Sequence, residues 1–242
     1  MIKYIVSLII PLLSVTMVMV SCGVNDNTVE EMSCDFPLYP PEGLVIESHT
    51  EWTKNHYQVR IRSFKQDSIM PNSIVMLGNS LTEQGGNWAS RLNTENVSNR
   101  GIAGDNTEGV LARLGEIKCA KPKAIFLMIG TNDLWTNLTE EEVVVNIEKI
   151  GNDLATSLPE TSVFVQTIMP VEEGHNQTGR LLRINNLLRS VEDSGYVLID
   201  TFEEMSGSDN YLPASYTTDG VHLNSMGYDK WASILQPYVT NN

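Results

Sequence analysis

Positive charge is scarce in this sequence. Its 242 residues contain 16 Lys and Arg against 30 Asp and Glu, which gives a formal net charge of −14. A surface this acidic is repelled by the phosphates of nucleic acids and by anionic lipid headgroups. We therefore expect no nucleic-acid partner, and we expect no membrane contact through a basic face.

Cysteine is scarce as well, with only Cys22, Cys34 and Cys119. These residues form no Cys-x-x-Cys motif and no cluster with histidine, so the sequence offers no zinc site. In an exported protein Cys34 and Cys119 could be oxidised. However, Cys34 lies in a stretch with the composition of a tether and Cys119 lies at a predicted helix–strand junction, so we expect two unpaired thiols.

The N-terminus carries a long apolar run, from Tyr4 to Val20, after a single positive residue, Lys3. A short positive start, an apolar core and a small residue before the cleavage point predict a secretory signal peptide over residues 1–21. The alternative is a retained membrane helix, for which the run is only just long enough. The residues before Cys22 resemble the lipobox of bacterial lipoproteins. This resemblance implies cleavage before Cys22, lipidation of that cysteine, and an exported chain anchored at the periplasmic or cell-surface face of a bacterial membrane.

Residues 22–48 have the composition of a flexible tether behind that anchor. The stretch is rich in Asn, Asp and Glu and contains Pro37, Pro40 and Pro41. Such a segment buries too little apolar surface to fold alone. Of the 242 residues, 48 precede the folded part, which leaves 194 for residues 49–242. That length fits one α/β domain with a sizeable core.

Apolar runs of strand length alternate with segments of helical periodicity through the folded part. Strands are predicted over residues 74–77, 97–99, 124–129, 162–168 and 196–200. Helices are predicted over residues 50–67, 88–92, 106–117, 140–158, 181–191 and 228–238. Strands that alternate with helices in this way predict a parallel sheet between two helical layers, a three-layer α/β sandwich.

Finer features of three helices also follow from the sequence. In the first helix Trp52, His56, Val59 and Phe64 return to one side, which we expect to pack on the sheet. The pairs Asp105–Glu108 and Thr139–Glu142 have the spacing of capping boxes. We therefore expect one helix to begin near Asn106 and another to begin after Thr139.

A serine directly follows the first buried strand. Gly78 ends the apolar run, and Asn79 and Ser80 lie on the turn before the next helix. In open α/β sheets, ligands bind at the carboxyl ends of the strands, where helix N-termini offer backbone N–H groups. Ser80 is therefore a candidate nucleophile, although serines on such turns also act as simple helix caps.

Asp219 and His222 lie three residues apart around Gly220, near the C-terminus. A serine nucleophile needs a base, and the base needs a carboxylate that fixes its tautomer. This spacing lets Asp219 reach Nδ1 of His222 while Nε2 faces Ser80; the alternative is a local Asp–His bond with a structural role. The other histidines, His49, His56 and His175, are expected to be ordinary surface or helix-face residues.

Gly104 and Asn132 each follow a predicted strand, as Ser80 does, and parallel strands end at the same edge of a sheet. Acyl transfer needs hydrogen-bond donors for the oxyanion. The backbone N–H groups of Ser80 and Gly104 and the side-chain amide of Asn132 are the candidates, since a glycine lets substrate approach its amide. Taken singly, Gly104 could be a simple loop glycine and Asn132 a turn residue.

Four blocks of the sequence resemble those of the SGNH/GDSL hydrolases: residues 78–81, 99–105, 130–133 and 219–222. They supply serine, glycine, asparagine and histidine in the family's order, and the chain is most similar to the platelet-activating-factor acetylhydrolase-like subgroup, which includes carbohydrate O-acetylesterases. The resemblance implies a five-stranded, flavodoxin-like parallel sheet, no metal and no cofactor. It also implies that Ser80 attacks an ester carbonyl and that water activated by His222 releases the acyl group. One position departs from the pattern, because Asn79 stands where the family has aspartate.

The sequence therefore predicts a serine esterase with Ser80, His222 and Asp219 as its triad. We expect it to remove short acyl groups, acetyl foremost, from carbohydrates such as sialic acid or other glycans. Asn79, Asn106 and Trp135 are candidates for the substrate pocket, with packing as their alternative role. Two other hypotheses stay open: a lysophospholipase or thioesterase that uses the same residues, and a surface glycan-binding module without turnover.

Overall fold

The computed structural model describes residues 34–240, so the predicted signal peptide (residues 1–21) and the predicted lipidation site Cys22 lie outside the described residues. Within residues 34–240 one sheet is formed by β1 (Ile74–Gly78), β2 (Val97–Gly101), β3 (Ala124–Met128), β4 (Ser162–Gln166) and β5 (Val197–Ile199). Its strand order is β2-β1-β3-β4-β5, and every neighbouring pair is parallel. This is the order of flavodoxin-like sheets, and the predicted five-stranded parallel sheet is confirmed.

Helices cover both faces of this sheet. They are α1 (Glu51–Gln66), α2 (Ser80–Gln84), α3 (Trp88–Arg91), α4 (Thr107–Leu111), α5 (Gly115–Ala120), α6 (Glu140–Ser157), α7 (Thr178–Arg189), α8 (Thr201–Met205) and α9 (Ser225–Thr240), with 3-10 helices at Asn132–Trp135 and Ala214–Tyr216. In the part of the chain that the structure describes, no helix is both long enough and apolar enough to cross a membrane.

Alternate side chains of the central strands enter two separate cores. Leu77 and Leu127 belong to the core that α4, α5, α6 and α7 cover. Met76 and Phe126, their chain neighbours, belong to the core that α2, α3, α8 and α9 cover. Successive residues of a strand point to opposite faces, so strands β1 and β3 are apolar throughout and buried on both sides. The predicted three-layer sandwich is confirmed.

The predicted capping box at the start of α6 is confirmed. Thr139 Oγ1 accepts the backbone N–H of Glu142 at 3.2 Å, and the Glu142 carboxylate accepts the backbone N–H of Thr139 at 2.7 Å. These two bonds satisfy donors that a helix start otherwise leaves unpaired.

The second predicted capping box, Asp105 with Glu108, is wrong. Asn106 caps α4 instead, because its Oδ1 accepts the backbone N–H of Gly109 at 3.0 Å. The Asp105 carboxylate is not available for this role, since it accepts a hydrogen bond from Arg113 at 2.9 Å. The single helix predicted through Ile117 is also divided, into α4 and α5.

Helix α1 lies where it is predicted and Phe64 is buried as expected, but the rest of its buried face differs from the prediction. Tyr57, Ile61 and Phe64 pack against Ile102 beside β2. Trp52 and Val59, which were expected on the buried side, are exposed. The helix carries apolar residues on two faces, and its contact with the β2 edge selects the face of Tyr57.

Residues 34–50, called the N-terminal strap below, pack against the domain rather than forming a free tether. Cys34 forms a disulfide with Cys119 at the end of α5, so the expectation of two unpaired thiols is wrong. A Cβ on Gly115 would lie 2.2 Å from the backbone oxygen of Pro37, which shows how closely the strap approaches α5. The folded part therefore includes residues 34–48, which were predicted as tether.

Candidate active site

Strand β1 lies between β2 and β3, and the chain changes direction across the sheet at this point. The ends of these three strands carry Ser80, Gly104 and Asn132. In doubly wound sheets this reversal opens a crevice at the carboxyl edge, where ligands bind. The fold therefore places the three residues after adjacent strands, at the same edge of the sheet.

Ser80 is the first residue of α2. Asn79 is the N-cap of this helix, and its Oδ1 accepts the backbone N–H of Leu81 at 3.0 Å. The chain passes from β1 into α2 within two residues, which leaves Ser80 partly exposed at the strand end. Asn79 Nδ2 is buried and makes no hydrogen bond within residues 34–240.

His222 reaches Ser80 from the loop before α9. Its Nε2 lies 3.0 Å from Ser80 Oγ, and its Nδ1 lies 2.8 Å from Asp219 Oδ2. The other carboxylate oxygen of Asp219 accepts the backbone N–H groups of His222 at 2.7 Å and Val221 at 3.1 Å. One turn of chain therefore fixes the carboxylate and the imidazole relative to each other.

The surroundings of Asp219 favour its ionised form. Partial burial raises the pKa of the carboxyl group, but the hydrogen bonds from the His222 ring and from the backbone N–H groups of His222 and Val221 outweigh it. The pKa of Asp219 is therefore lowered from its ordinary value. An ionised carboxylate at Nδ1 keeps a proton on that nitrogen, so Nε2 can accept the proton of the Ser80 hydroxyl.

Gly104 and Asn132 lie on the loops after β2 and β3, the two strands that flank β1. Gly104 has a φ of +81°, and a Cβ at this position would lie 2.4 Å from Thr53 Oγ1, so only glycine fits here. Asn132 Nδ2 donates to the backbone oxygen of Asp105 at 2.8 Å. This bond uses one of the two amide hydrogens and holds the side chain beside the Gly104 loop.

Asp133, next to Asn132, connects the 3-10 helix to α4. Its buried carboxylate accepts the Thr107 hydroxyl at 2.6 Å and the Thr107 backbone N–H at 3.2 Å. Burial raises the pKa of Asp133 to about 6, although the bonds from Thr107 oppose the rise. The charge of Asp133 therefore changes near pH 6.

Residues 76–230 match the model of the GDSL-like lipase/acylhydrolase family. The chain belongs to this family. Human platelet-activating factor acetylhydrolase IB subunit alpha2 is 32% identical to it over 157 residues, which cover 63% of this chain and 68% of the human one. Family membership makes the chain a carboxylic-ester hydrolase of the GDSL type.

Two solved structures share the GDSL fold with this chain. A GDSL-like lipase from Bacteroides thetaiotaomicron superimposes with a TM-score of 0.66 at 19% identity and covers 76% of this chain and 97% of its own. An acetylxylan esterase from Geobacillus stearothermophilus gives a TM-score of 0.59 at 17% identity and covers 71% of this chain and 96% of its own. At these identities the likeness concerns the fold.

The three predicted pocket residues of this GDSL hydrolase lie in different surroundings. Asn79 and Asn106 are buried caps of α2 and α4, and this placement does not support a pocket role for either. Trp135 is 53% exposed, at the end of the 3-10 helix that begins with Asn132. Its ring stands edge-on to that of His175, which was expected to be a plain surface residue.

Two further side chains hold the Gly104 loop, and sequence reasoning missed both. Glu83 on α2 accepts the backbone N–H of Ala103 at 2.5 Å and a bond from His56 Nε2 at 2.9 Å. His49 from the N-terminal strap is buried against Asp105, so its prediction as a surface residue is wrong. The only signal in the sequence is that Glu83 lies one helical turn after Ser80, on the same face of α2.

Proposed function

We propose that this GDSL hydrolase is a serine esterase that removes short acyl groups, acetyl foremost, from carbohydrates. The observation that supports it most directly is the continuous hydrogen-bonded chain from Asp219 through His222 to Ser80 Oγ, with distances of 2.8 Å and 3.0 Å. Donors for an oxyanion lie at the neighbouring strand ends, on Gly104 and Asn132.

The proposed reaction uses these groups in sequence. Ser80 Oγ attacks the ester carbonyl while His222 Nε2 takes its proton, and Asp219 stabilises the imidazolium that forms. The developing oxyanion receives hydrogen bonds from the backbone N–H groups of Ser80 and Gly104 and from Asn132 Nδ2. His222 returns the proton to the leaving alcohol, and water activated by the same imidazole then hydrolyses the acyl-enzyme.

A polar cleft lined by the residues that follow the 3-10 helix of Asn132 supports a sugar as the alcohol part. It has a volume of about 510 Å³ and begins at Trp135, three residues after Asn132. Its walls carry the indole of Trp135, the polar side chains of Ser48, Thr136 and Asn137, the side chain of Leu138 and the carboxylates of Glu47, Glu108 and Glu142. Such walls suit hydroxyl groups and one face of a sugar ring better than a long acyl chain, and the carboxylates favour a neutral sugar over an anionic one such as sialic acid.

The relatives' names support acetyl as the acyl group. The human relative is called an acetylhydrolase, and one structural neighbour is an acetylxylan esterase. The family's description also includes lipases, so lysophospholipase or thioesterase activity is the second candidate. A long acyl chain would need an apolar channel, which the polar cleft does not supply.

The deciding experiment compares hydrolysis of p-nitrophenyl acetate, butyrate and octanoate by the purified protein and by Ser80→Ala. We expect the acetate to be preferred and activity to fall at least about 10³-fold in the variant, because the nucleophile is lost. Preference for octanoate would support the lipid or thioester candidate. A Ser80→Ala protein with full activity would rule out the serine mechanism, and an inert wild type that binds glycans in calorimetry would support a binding module.

We also propose that the chain is exported and lipid-anchored through Cys22. The Cys34–Cys119 disulfide supports export, because such bonds persist in oxidising compartments. Cells fed with labelled palmitate should incorporate the label into the wild type and not into Cys22→Ala. A labelled Cys22→Ala protein would contradict this assignment.

A further inference from the structure

The N-terminal strap is fixed to the domain at several points. Cys34 is bonded to Cys119, the Tyr39 hydroxyl donates to the backbone oxygen of Phe64 at 3.2 Å, and the Leu44 backbone oxygen accepts from Gln58 Nε2 at 3.0 Å. These contacts lead the strap along α1 and α5 to the first turn of α1. Near the end of the strap, Ser48 and His49 contact Asn106 and Asp105, which follow Gly104.

His49 enters the protein interior at this place. Its Nε2 lies 3.1 Å from Asp105 Oδ1, and the two side chains are 1% and 0% exposed. The other oxygen of Asp105 accepts from Arg113 Nε at 2.9 Å. The oxygen that faces His49 also accepts the backbone N–H of Asn106 at 3.1 Å. A buried carboxylate is costly unless its oxygens are compensated, and His49 supplies the second donor to this oxygen.

Asp105 connects His49 to both proposed oxyanion donors. It directly follows Gly104 in the chain, and its own backbone oxygen accepts from Asn132 Nδ2 at 2.8 Å. Ser48, the neighbour of His49, accepts from Asn106 Nδ2 at 2.7 Å on the other side of Asp105. A displacement of Asp105 would therefore move the Gly104 amide and the Asn132 amide together.

We propose that His49 is a positioning residue of the oxyanion hole, acting through Asp105 on Gly104 and Asn132. This inference rests on the proposed serine-esterase function. His49 touches none of the proposed reacting groups, so its effect should lie in how well the donors are aimed at the transition state. Donors of this kind act mainly when they are held in place before the reaction, and a displacement of about 1 Å can cost roughly 100-fold in rate.

The test measures kcat and KM for p-nitrophenyl acetate in His49→Ala and His49→Gln. We expect His49→Ala to lower kcat by about 10- to 100-fold with KM changed less than about threefold, because the lost interaction serves the transition state. A glutamine amide can donate near the position of Nε2, so His49→Gln should recover most of the rate. Tyr39→Phe removes a hydrogen bond of the same strap that does not involve Asp105 and should keep the kcat of the wild type.

A double-mutant cycle with Asn132→Ala separates positioning from a general loss of stability. If His49 acts through the donors, His49→Ala should cost less in the Asn132→Ala background than in the wild type. All rates are compared below the unfolding transition of each variant. If His49→Ala does not fold, His49→Leu, which fills the same space without a donor for Asp105, replaces it in the cycle. Its kcat should fall about 10- to 100-fold while that of His49→Gln stays near the wild type, and equal kcat values of His49→Leu and the wild type would overturn the inference.

Two kinds of failure are distinguishable. If Ser80→Ala keeps the activity of the wild type, the proposed function is wrong, and the inference is wrong with it. A wild type that depends on Ser80 but keeps its kcat in His49→Ala overturns the inference alone and makes His49 a residue of stability. If His49→Ala lowers kcat by the same factor in the wild type and in the Asn132→Ala background, the inference about His49 is likewise wrong.

Discussion

The carboxyl group of Asp133 is buried beside Asn132, and the stability of the fold should depend on its charge. Burial raises its pKa from the ordinary 3.8 to about 6, against the opposing hydrogen bonds from Thr107. Between roughly pH 4 and pH 6 the folded chain therefore holds a proton that the unfolded chain has released. As pH rises over this range, the free energy of unfolding falls by about 3 kcal/mol in total. Above this range it no longer changes with the charge of Asp133.

We expect Asp133→Asn to remove this part of the pH dependence. Asparagine keeps an oxygen for the Thr107 hydroxyl but has no charge to bury. In urea unfolding, the stability of the wild type minus that of the variant should fall by about 2 to 3 kcal/mol from pH 4 to pH 7. Asp193→Asn, at an exposed position, should follow the wild type. Parallel curves for the wild type and Asp133→Asn would show that the charge of Asp133 does not affect stability.

Single residues differ in how far the sequence reveals them. Ser80, Gly104 and Asn132 can be predicted as candidates because each follows a strand, and the topology then places them at one edge of the sheet. His49 carries no such signal. Its imidazole is buried because Asp105, 56 residues further along, is turned towards it, and its neighbours in the sequence are those of an exposed histidine. The role of Asn106 as the cap of α4 is equally hard to predict from the sequence, because it depends on Asp105 being bonded to His49 and Arg113.

At the scale of elements, the disulfide between Cys34 and Cys119 joins the strap to α5 across 85 residues of sequence. A crosslink of this length restricts the unfolded chain strongly, and native disulfides of this kind contribute about 2 to 4 kcal/mol. We expect Cys34→Ser/Cys119→Ser to lose this amount in urea unfolding without reductant. Reductant should destabilise the wild type to the same level.

The double variant also provides its own control, because reductant should not change its stability further. Phe36→Ala, at an exposed position of the same strap, should stay within about 0.5 kcal/mol of the wild type. If the wild type keeps its full stability in reductant that has demonstrably broken the bond, the strap is held by its packing and not by the disulfide.

A local sequence pattern predicts a helix boundary when the capping residues are neighbours, but it does not predict which face of a helix is buried. The capping box of α6 involves only Thr139 and Glu142, and the sequence predicts it correctly. The face of α1 depends on Ile102, a distant residue on the β2 side, and two apolar faces compete for that contact. The strap is misread for the same reason: its acidic and proline-rich composition resembles a tether, whereas its packing depends on contacts with α1 and α5.

At the scale of the whole molecule, the alternation of strands and helices is enough to predict the architecture. Ile74–Gly78 and Ala124–Met128 are apolar at nearly every position, which is typical of strands covered on both faces. Right-handed crossovers then place every strand end at one edge. The alternation does not predict the conformation of loops at that edge, such as residues 217–224. Their conformation depends on contacts between residues that are distant in the sequence.

The charge of the whole chain leads to a prediction about substrate choice. A formal net charge of −14, with Glu47 and Glu142 in the cleft beside Trp135, creates a negative potential that disfavours anions. For an acetyl ester of a neutral sugar, kcat/KM should change little with salt. For an O-acetylated sialic acid it should be low at about 0.02 M NaCl and rise several-fold by about 0.5 M, because the Debye length shortens from roughly 20 Å to roughly 4 Å.

A pair of matched variants locates the charges responsible. Glu47→Gln/Glu142→Gln removes two of the three carboxylates of the cleft and keeps a side chain that can complete the α6 capping box, so it should raise kcat/KM for the sialic acid ester at low salt. Glu160→Gln/Glu192→Gln changes the net charge equally at exposed positions on the opposite edge of the sheet and should have a smaller effect. Equal effects of the two pairs would assign the repulsion to the net charge of the molecule, and a sialic acid ester hydrolysed as well as the neutral one at low salt would contradict the predicted preference.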